Sequence, residues 1–337
     1  MHNYKVMRTL TVVALSLVAF ALSGCGEGED AGEQLKARAE TLFADGDYAG
    51  ATRVYDKLFL EYPEWAEDEE VAGQRDLAKA RALFEEAREA ARTNRFDEAG
   101  EALTEALALA PDDAEINYGV GWVYIQRALE YQAQARVTRG GAQADYGLLA
   151  EAHAELARER FARSTELNPE HWAGYRGMAV YHLYKGESEE ALESLAEADK
   201  YSNKPDEKIT VGRLRFRAYA AEKKFDEGKE VLDALVEKYP DYGEAYFALG
   251  EYYLLLPERN YEEAAKAFEV GVTKKFEDAG TRGQMYLMLS RLRIRDAKYE
   301  DALAAMKAAL ADDPFNEIYT DEYAVAWGTK KLSEQSR

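Results

Sequence analysis

Positive charge, cysteine, proline and histidine are all scarce in this chain. Its 337 residues carry 43 Lys and Arg against 64 Asp and Glu, a formal charge of −21. A balance that negative argues against nucleic acid as a partner, because holding phosphates takes a basic footprint. The single cysteine leaves no disulfide framework within the chain and no Cys-based zinc knuckle. Seven prolines in a sequence rich in Ala, Leu, Glu and Lys favour helix. Three of the four histidines follow the cysteine: His153, His171 and His182. No His-Glu-x-x-His, no Gly-x-Ser-x-Gly elbow and no Gly-rich phosphate loop accompanies them. The chain therefore reads as a non-enzyme, with no metal and no cofactor. What it does hold is 47% apolar and 12% aromatic residues, enough to bury a sizeable core.

The first residues read as an address. Lys5 and Arg8 precede an apolar run from Thr9 to Leu22, 14 residues long, where a spanning helix needs about 20. Leu22-Ser23-Gly24-Cys25 follows, and it resembles the lipobox of bacterial lipoproteins. The resemblance implies cleavage before Cys25 and lipidation at Cys25. Two or more acyl chains would give stable anchoring where one is marginal. Gly26, where many such lipoproteins retained in the inner membrane have Asp, implies an outer-membrane location facing the periplasm. Residues 1–24 are thus expected to be a signal peptide, and 25–32 a lipidated, flexible, acidic tether.

The remainder repeats. A small residue recurs as Ala51, Ala99, Ala157, Ala191, Gly228, Ala264 and Ala302, with a large apolar partner four residues later: Tyr55, Leu103, Phe161, Leu195, Leu232, Phe268 and Met306. Proline closes most units, at Pro63, Pro111, Pro169, Pro205, Pro240 and Pro314. A small residue suits the point where two helices approach closely, a large one fills the gap a turn on, and proline stops the helix. The pattern resembles the second helix of the tetratricopeptide repeat (TPR), a helix pair of about 34 residues. It implies an all-α fold, a right-handed TPR superhelix of about seven helix-turn-helix repeats over 33–316, closed by a capping helix in 317–337. The cap follows from the uncovered apolar face that the last repeat of a solenoid leaves.

Three departures stand out. Extra residues from Trp65 to Lys79 predict an early start for the second repeat's first helix. About 24 extra residues, 127–150, predict a first helix running through Arg136, a break at Gly140-Gly141 and a restart near Asp145. Such an insertion either carries function or merely stiffens the stack. The fifth repeat looks degenerate, with Arg215 and Phe216 where an apolar-small pair belongs. Of the histidines, His182 is expected in the packed core. Asp112-Asp113 and Asp312-Asp313 are expected to cap helices.

TPR arrays line their inner groove with first helices. In the expected register that groove offers Arg81, Phe84, Arg88, Arg92, Tyr118, Trp122, Ile125, Arg176, Tyr184, Arg213, Arg217, Arg291 and Arg295, with fewer acids (Glu33, Glu40, Glu115, Glu244, Glu251, Asp321). Arg with aromatics marks binding surfaces, so the groove is expected to grip a peptide bearing acidic groups. The alternative is that these arginines pair with Glu on neighbouring helices. The Asn residues of the TPR carboxylate clamp are absent beside Arg213 and Arg217. The expected function is a membrane-anchored, non-enzymatic scaffold for envelope proteins or peptide segments. A component that handles small ligands for a periplasmic transporter is the second reading. Oligomeric state is left open.

Overall fold

The computed structural model describes residues 29–92, 95–276 and 279–335. The signal segment and Cys25 lie outside them. Among the described residues there are fifteen α-helices: α1 (Glu29–Ala44), α2 (Tyr48–Glu61), α3 (Glu69–Arg92), α4 (Phe96–Leu109), α5 (Ala114–Val137), α6 (Gly141–Leu167), α7 (Trp172–Lys185), α8 (Ser188–Tyr201), α9 (Pro205–Ala221), α10 (Phe225–Lys238), α11 (Gly243–Leu255), α12 (Tyr261–Gly271), α13 (Ala279–Arg295), α14 (Tyr299–Asp312) and α15 (Glu317–Gln335). A 3-10 turn, Pro63–Glu67, precedes α3. No helix among them is long and apolar enough to cross a membrane.

The chain divides into two compact units, 1–82 and 83–337, with the boundary inside α3. The first packs Ala39, Ala51, Tyr55, Leu58, Val71 and Ala78 into one cluster. In the second, successive helices form antiparallel hairpins and each hairpin leans on the next. Turn chemistry sets where the helices start. Asp47, Asp113 and Asn260 accept backbone N–H bonds from the first turns of α2, α5 and α12, which satisfies donors that would otherwise be orphaned. Gly186, at φ +80°, ends α7 in the left-handed region.

Within a hairpin a large side chain on one helix fills a hollow left by a small residue on the other. Phe161 of α6 is fully buried. A Cβ on Gly121 of α5 would fall 2.7 Å from its ring, and one on Gly177 of α7 2.3 Å from it. Phe268 fills the same role below Gly250.

The apparently degenerate fifth repeat is the same contact with its halves exchanged. Phe216 on the first helix, α9, is fully buried, and the small partner is Gly228 on α10, whose Cβ would meet the Phe216 ring at 3.1 Å. Volume is conserved across the pair, so the packing survives. Arg215 points elsewhere, 3.2 Å from Asp199.

The insertion is a continuation of the α5–α6 hairpin, turned at Gly140 with φ +77°. Tyr131 stacks on Tyr146 at 6.2 Å and meets His153 at 5.1 Å. Its base is packed, with Ala128 and Ala150 buried, while its tip is exposed, including Val137 at 80% and Leu148 at 71%.

Two sequence expectations are corrected here. His182 is not a core residue. It is half-buried in the last turn of α7, its Nδ1 2.7 Å from a Glu187 carboxylate oxygen. Asp113 does cap α5, but Asp313 lies at the C-terminal end of α14, and Asn316 accepts the N–H of Tyr319 in α15. Asp312 instead pairs with Arg282 at 2.8 Å.

Candidate functional site

Three successive first helices carry the same device, a pair of side chains one turn apart on one face: Phe84 and Arg88 on α3, Tyr118 and Trp122 on α5, Trp172 and Arg176 on α7. Residues spaced i, i+4 stand above one another on a helix, so the three pairs line one cleft of about 600 Å³. Glu115, His171 and Lys204 complete its polar wall.

Arg176 sits at the centre. Its guanidinium carbon lies 4.8 Å from the Trp122 ring centroid and 5.4 Å from those of Tyr118 and Trp172. Such cation–π contacts hold a cation where solvation is reduced. Its Nη2 donates to the Tyr118 hydroxyl. Its Nε is buried and has no acceptor among the described residues. Burial pushes the Tyr118 phenol up from its ordinary value, against the pull of the nearby Arg176 and Arg88 charges.

His171 precedes α7 and meets the Tyr118 ring edge-on at 5.9 Å. Its Nδ1 is 2.9 Å from Ser164 Oγ, and Ser164 donates its one hydroxyl proton to the Ala114 carbonyl at 2.7 Å. Nδ1 must therefore be the donor in that pair. This locks the ring against α6 and holds the start of α7, hence Trp172 and Arg176, in place.

The cleft lining bears Arg88, Arg176 and Lys204 against one acid, Glu115, and of these Arg88 also pairs with Glu85 one turn back, at 2.8 Å. In a chain of charge −21 this is a local inversion of sign. Rigid rings beside guanidinium donors suit a ligand that combines an apolar side chain with a carboxylate.

Six of the residues expected to line the groove meet here: Phe84, Arg88, Glu115, Tyr118, Trp122 and Arg176. Others do not. Ile125 is fully buried in the core cluster around Phe161 and does not line the cleft. Tyr184 packs against the core cluster around Phe161. Arg213 grips Glu251 with two bonds of 2.6 and 2.9 Å, and Arg217 reaches the same carboxylate at 2.9 Å. Arg213 also covers Phe247 at 4.7 Å. Burial works to raise the Glu251 carboxyl, but the two guanidiniums outweigh it and hold it below the usual carboxylate value. Arg291 pairs with Glu322 at 3.1 Å, and Arg295 with Asp296 at 2.7 Å. For Arg213, Arg217 and Arg291 the structure shows the alternative, a pairing with Glu on a neighbouring helix, whereas Arg295 pairs with the residue next to it. Arg81 is half-buried in the first unit. Arg92 lies in α3 with its side chain outside the described residues.

Trp172, His171 and Lys204 were missed as site residues. Trp172 had a legible signal, since it stands one turn before Arg176 as Tyr118 stands before Trp122. His171 and Lys204 lie in inter-helix turns, where repeat register predicts nothing.

The tetratricopeptide repeat family model matches residues 84–136 and 213–279. No curated protein matches. Among solved structures, the chain is similar to a tetratricopeptide repeat protein of Parabacteroides merdae, with 13% identity, 88% of this chain and 99% of that one covered, and a TM-score of 0.56. It is also similar to PilF of Pseudomonas aeruginosa, with 15% identity, 73% and 97% covered, and a TM-score of 0.43. A thermophilic repeat protein of Thermus thermophilus gives 18%, 61% and 98%, and 0.41. At these identities the first likeness speaks to the fold.

Proposed function

Because this chain is a tetratricopeptide repeat protein, we propose that it works as a non-enzymatic scaffold, lipid-anchored through Cys25 in the bacterial envelope, that grips a partner's peptide in the cleft around Arg176. The carrying observation is the ring-enclosed guanidinium with a buried, unmatched Nε, set in a cationic wall of an acidic protein. A carboxylate beside an apolar side chain answers both features of that wall. Glu115 on the same face disfavours a dianion and favours a single carboxylate.

Two of the four tryptophans, Trp122 and Trp172, line the cleft, so intrinsic fluorescence reads its occupancy. A short peptide alternating Glu with Phe should change that signal saturably, and its Gln-for-Glu counterpart should not. Arg88→Glu combined with Arg176→Gln should weaken binding by about a hundredfold, the worth of two charge-assisted contacts, with helicity unchanged. Equal binding of the Gln peptide, or by the double variant, would remove the cleft from the mechanism.

The anchor has its own test. Cys25→Ser should move the protein from the membrane fraction to the soluble fraction. Continued membrane association in the variant would sink the lipoprotein reading. An outer-membrane position facing the periplasm is part of the proposal, and density-gradient separation of the two membranes checks it.

The cleft volume, about 600 Å³, also falls within the range of small-molecule sites. This supports a second reading, a small apolar carboxylate as cargo. Native mass spectrometry of freshly purified protein separates the two, because only the second predicts a bound small mass.

A further inference from the structure

A second recess lies on the opposite side of α5 from the cleft. Glu115, Tyr118 and Trp122 face the cleft, while Val120, Tyr124 and Arg127 face this groove, which has a volume of about 670 Å³. Its floor is apolar, built from Phe96 and Leu103 of α4 with Val120, Val123 and Tyr124 of α5. Only Leu103 and Val123 line both recesses. The extended α5–α6 hairpin forms one wall through His153.

The charge here is opposite to that of the cleft. Three carboxylates, Asp97, Glu101 and Glu105, stand against one arginine, Arg127. That arginine is already engaged by Asp97 and by Glu130.

Gly100, in the second turn of α4, lines the groove without a side chain. Glycine inside a helix costs about 1 kcal/mol relative to alanine. Gly121, Gly177 and Gly250 are required by buried rings that a Cβ would strike at 2.1–2.7 Å. Gly100 instead leaves open space, as do Gly73, Gly147 and Gly328: among the described residues a Cβ there would meet only Val123 Cγ1, at 4.0 Å, so the groove floor is bare at this point.

We propose that this groove docks a basic amphipathic segment of a partner protein, its apolar side chains seated on Gly100, Val123 and Tyr124 and its Lys or Arg side chains facing the carboxylate rim. The charge of the groove and of the whole chain, −21, steers such a segment in and repels an acidic one. The scaffold would then hold two chemically opposite segments on the two faces of one helix pair, an acidic one in the cleft and a basic one in the groove.

The test uses the full mature chain and three labelled peptides of about 15 residues, long enough to form a helix when docked. One is an amphipathic Leu/Lys helix, one has the same composition scrambled, and one has Glu in place of Lys. Fluorescence anisotropy should show the amphipathic basic peptide binding at least about tenfold more tightly than either control. Gly100→Leu should weaken it by about tenfold or more while leaving the melting temperature unchanged or raised, because the site has room and leucine is the better helix former. Glu101→Lys should weaken it as well. Arg88→Glu with Arg176→Gln should leave it unaltered, which separates this site from the cleft. The proposal is overturned if the scrambled peptide binds as well, if Gly100→Leu binds like wild type, or if the basic peptide does not bind.

Discussion

Phe161→Ala should melt the middle of the array, at a cost of about 3–5 kcal/mol, the range for emptying a fully buried aromatic site. The expected value is at the upper end because Phe161 has no substitute. It is fully buried, it lies under glycines from two different helices, Gly121 and Gly177, and it contacts the Tyr118 ring at 5.9 Å. Both glycines leave hollows that no neighbouring side chain is placed to fill, so the cavity persists. Solenoid repeats couple mainly to their neighbours. The loss should therefore be local: hydrogen exchange should quicken across α5–α8 while α11–α14 keep their protection. Uniform loss of protection would show that the array unfolds as one cooperative unit. Because Tyr118 also holds Arg176, the variant should lose peptide binding at the cleft before it loses bulk helicity.

The same contact explains how much of the molecule could be read in advance. A small residue followed four later by a large one is a statement about volume at a helix crossing, and volume is local in sequence. That is why the helix pairs were legible; the early start of α3 and the turn at Gly140 followed instead from the extra residues and the Gly-Gly pair, and α6 restarts at Gly141 rather than near Asp145. The fifth repeat looked degenerate because the pattern assigns a small residue to the place that Phe216 takes on the first helix. Packing requires only that the sum be kept, and Phe216 with Gly228 keeps it from the other side. The arginines are a different case. Repeat register correctly sets Arg176, Arg213 and Arg217 on first helices, but whether a guanidinium is paired depends on a residue one repeat away. Glu251 stands 34 positions from Arg217 and 38 from Arg213, beyond the reach of any local pattern. His182 misled for a related reason. It sits at an inward register position, yet the chain turns at Gly186 and brings Glu187 back to it.

Opposite charge on the two faces of α5 bears on mechanism. A chain this acidic attracts basic surfaces generally, and long-range attraction sets rate and orientation more than final affinity. An acidic ligand reaches the cleft only against that field, so its binding should strengthen with added salt at low ionic strength, while docking at the groove weakens. The two salt dependences, measured on the same protein, discriminate between the sites without a mutation.

Replacing Glu251 should destabilise the α9–α12 region by about 2 kcal/mol, below the 3–5 kcal/mol of a fully buried pair because Arg217 is 46% exposed and solvent screens its share. Glu251→Gln leaves Arg213 and Arg217 facing each other without a counter-charge. Glu251 itself is only 18% exposed, so water compensates poorly. The pH dependence has a definite sign. The carboxyl is held below its usual value in the folded state, so it contributes stability above the unfolded-state value, about 4.3. That contribution is lost as pH falls through the lower folded value. Wild type should exceed Glu251→Gln by a constant margin from neutral pH down to about 5.5, and the two should converge on further acidification. Denaturant midpoints across that range, read from hydrogen exchange in α9–α12, would record the convergence. A margin that stayed constant into strong acid would mean that the ion pair contributes nothing and that the glutamate acts through packing alone.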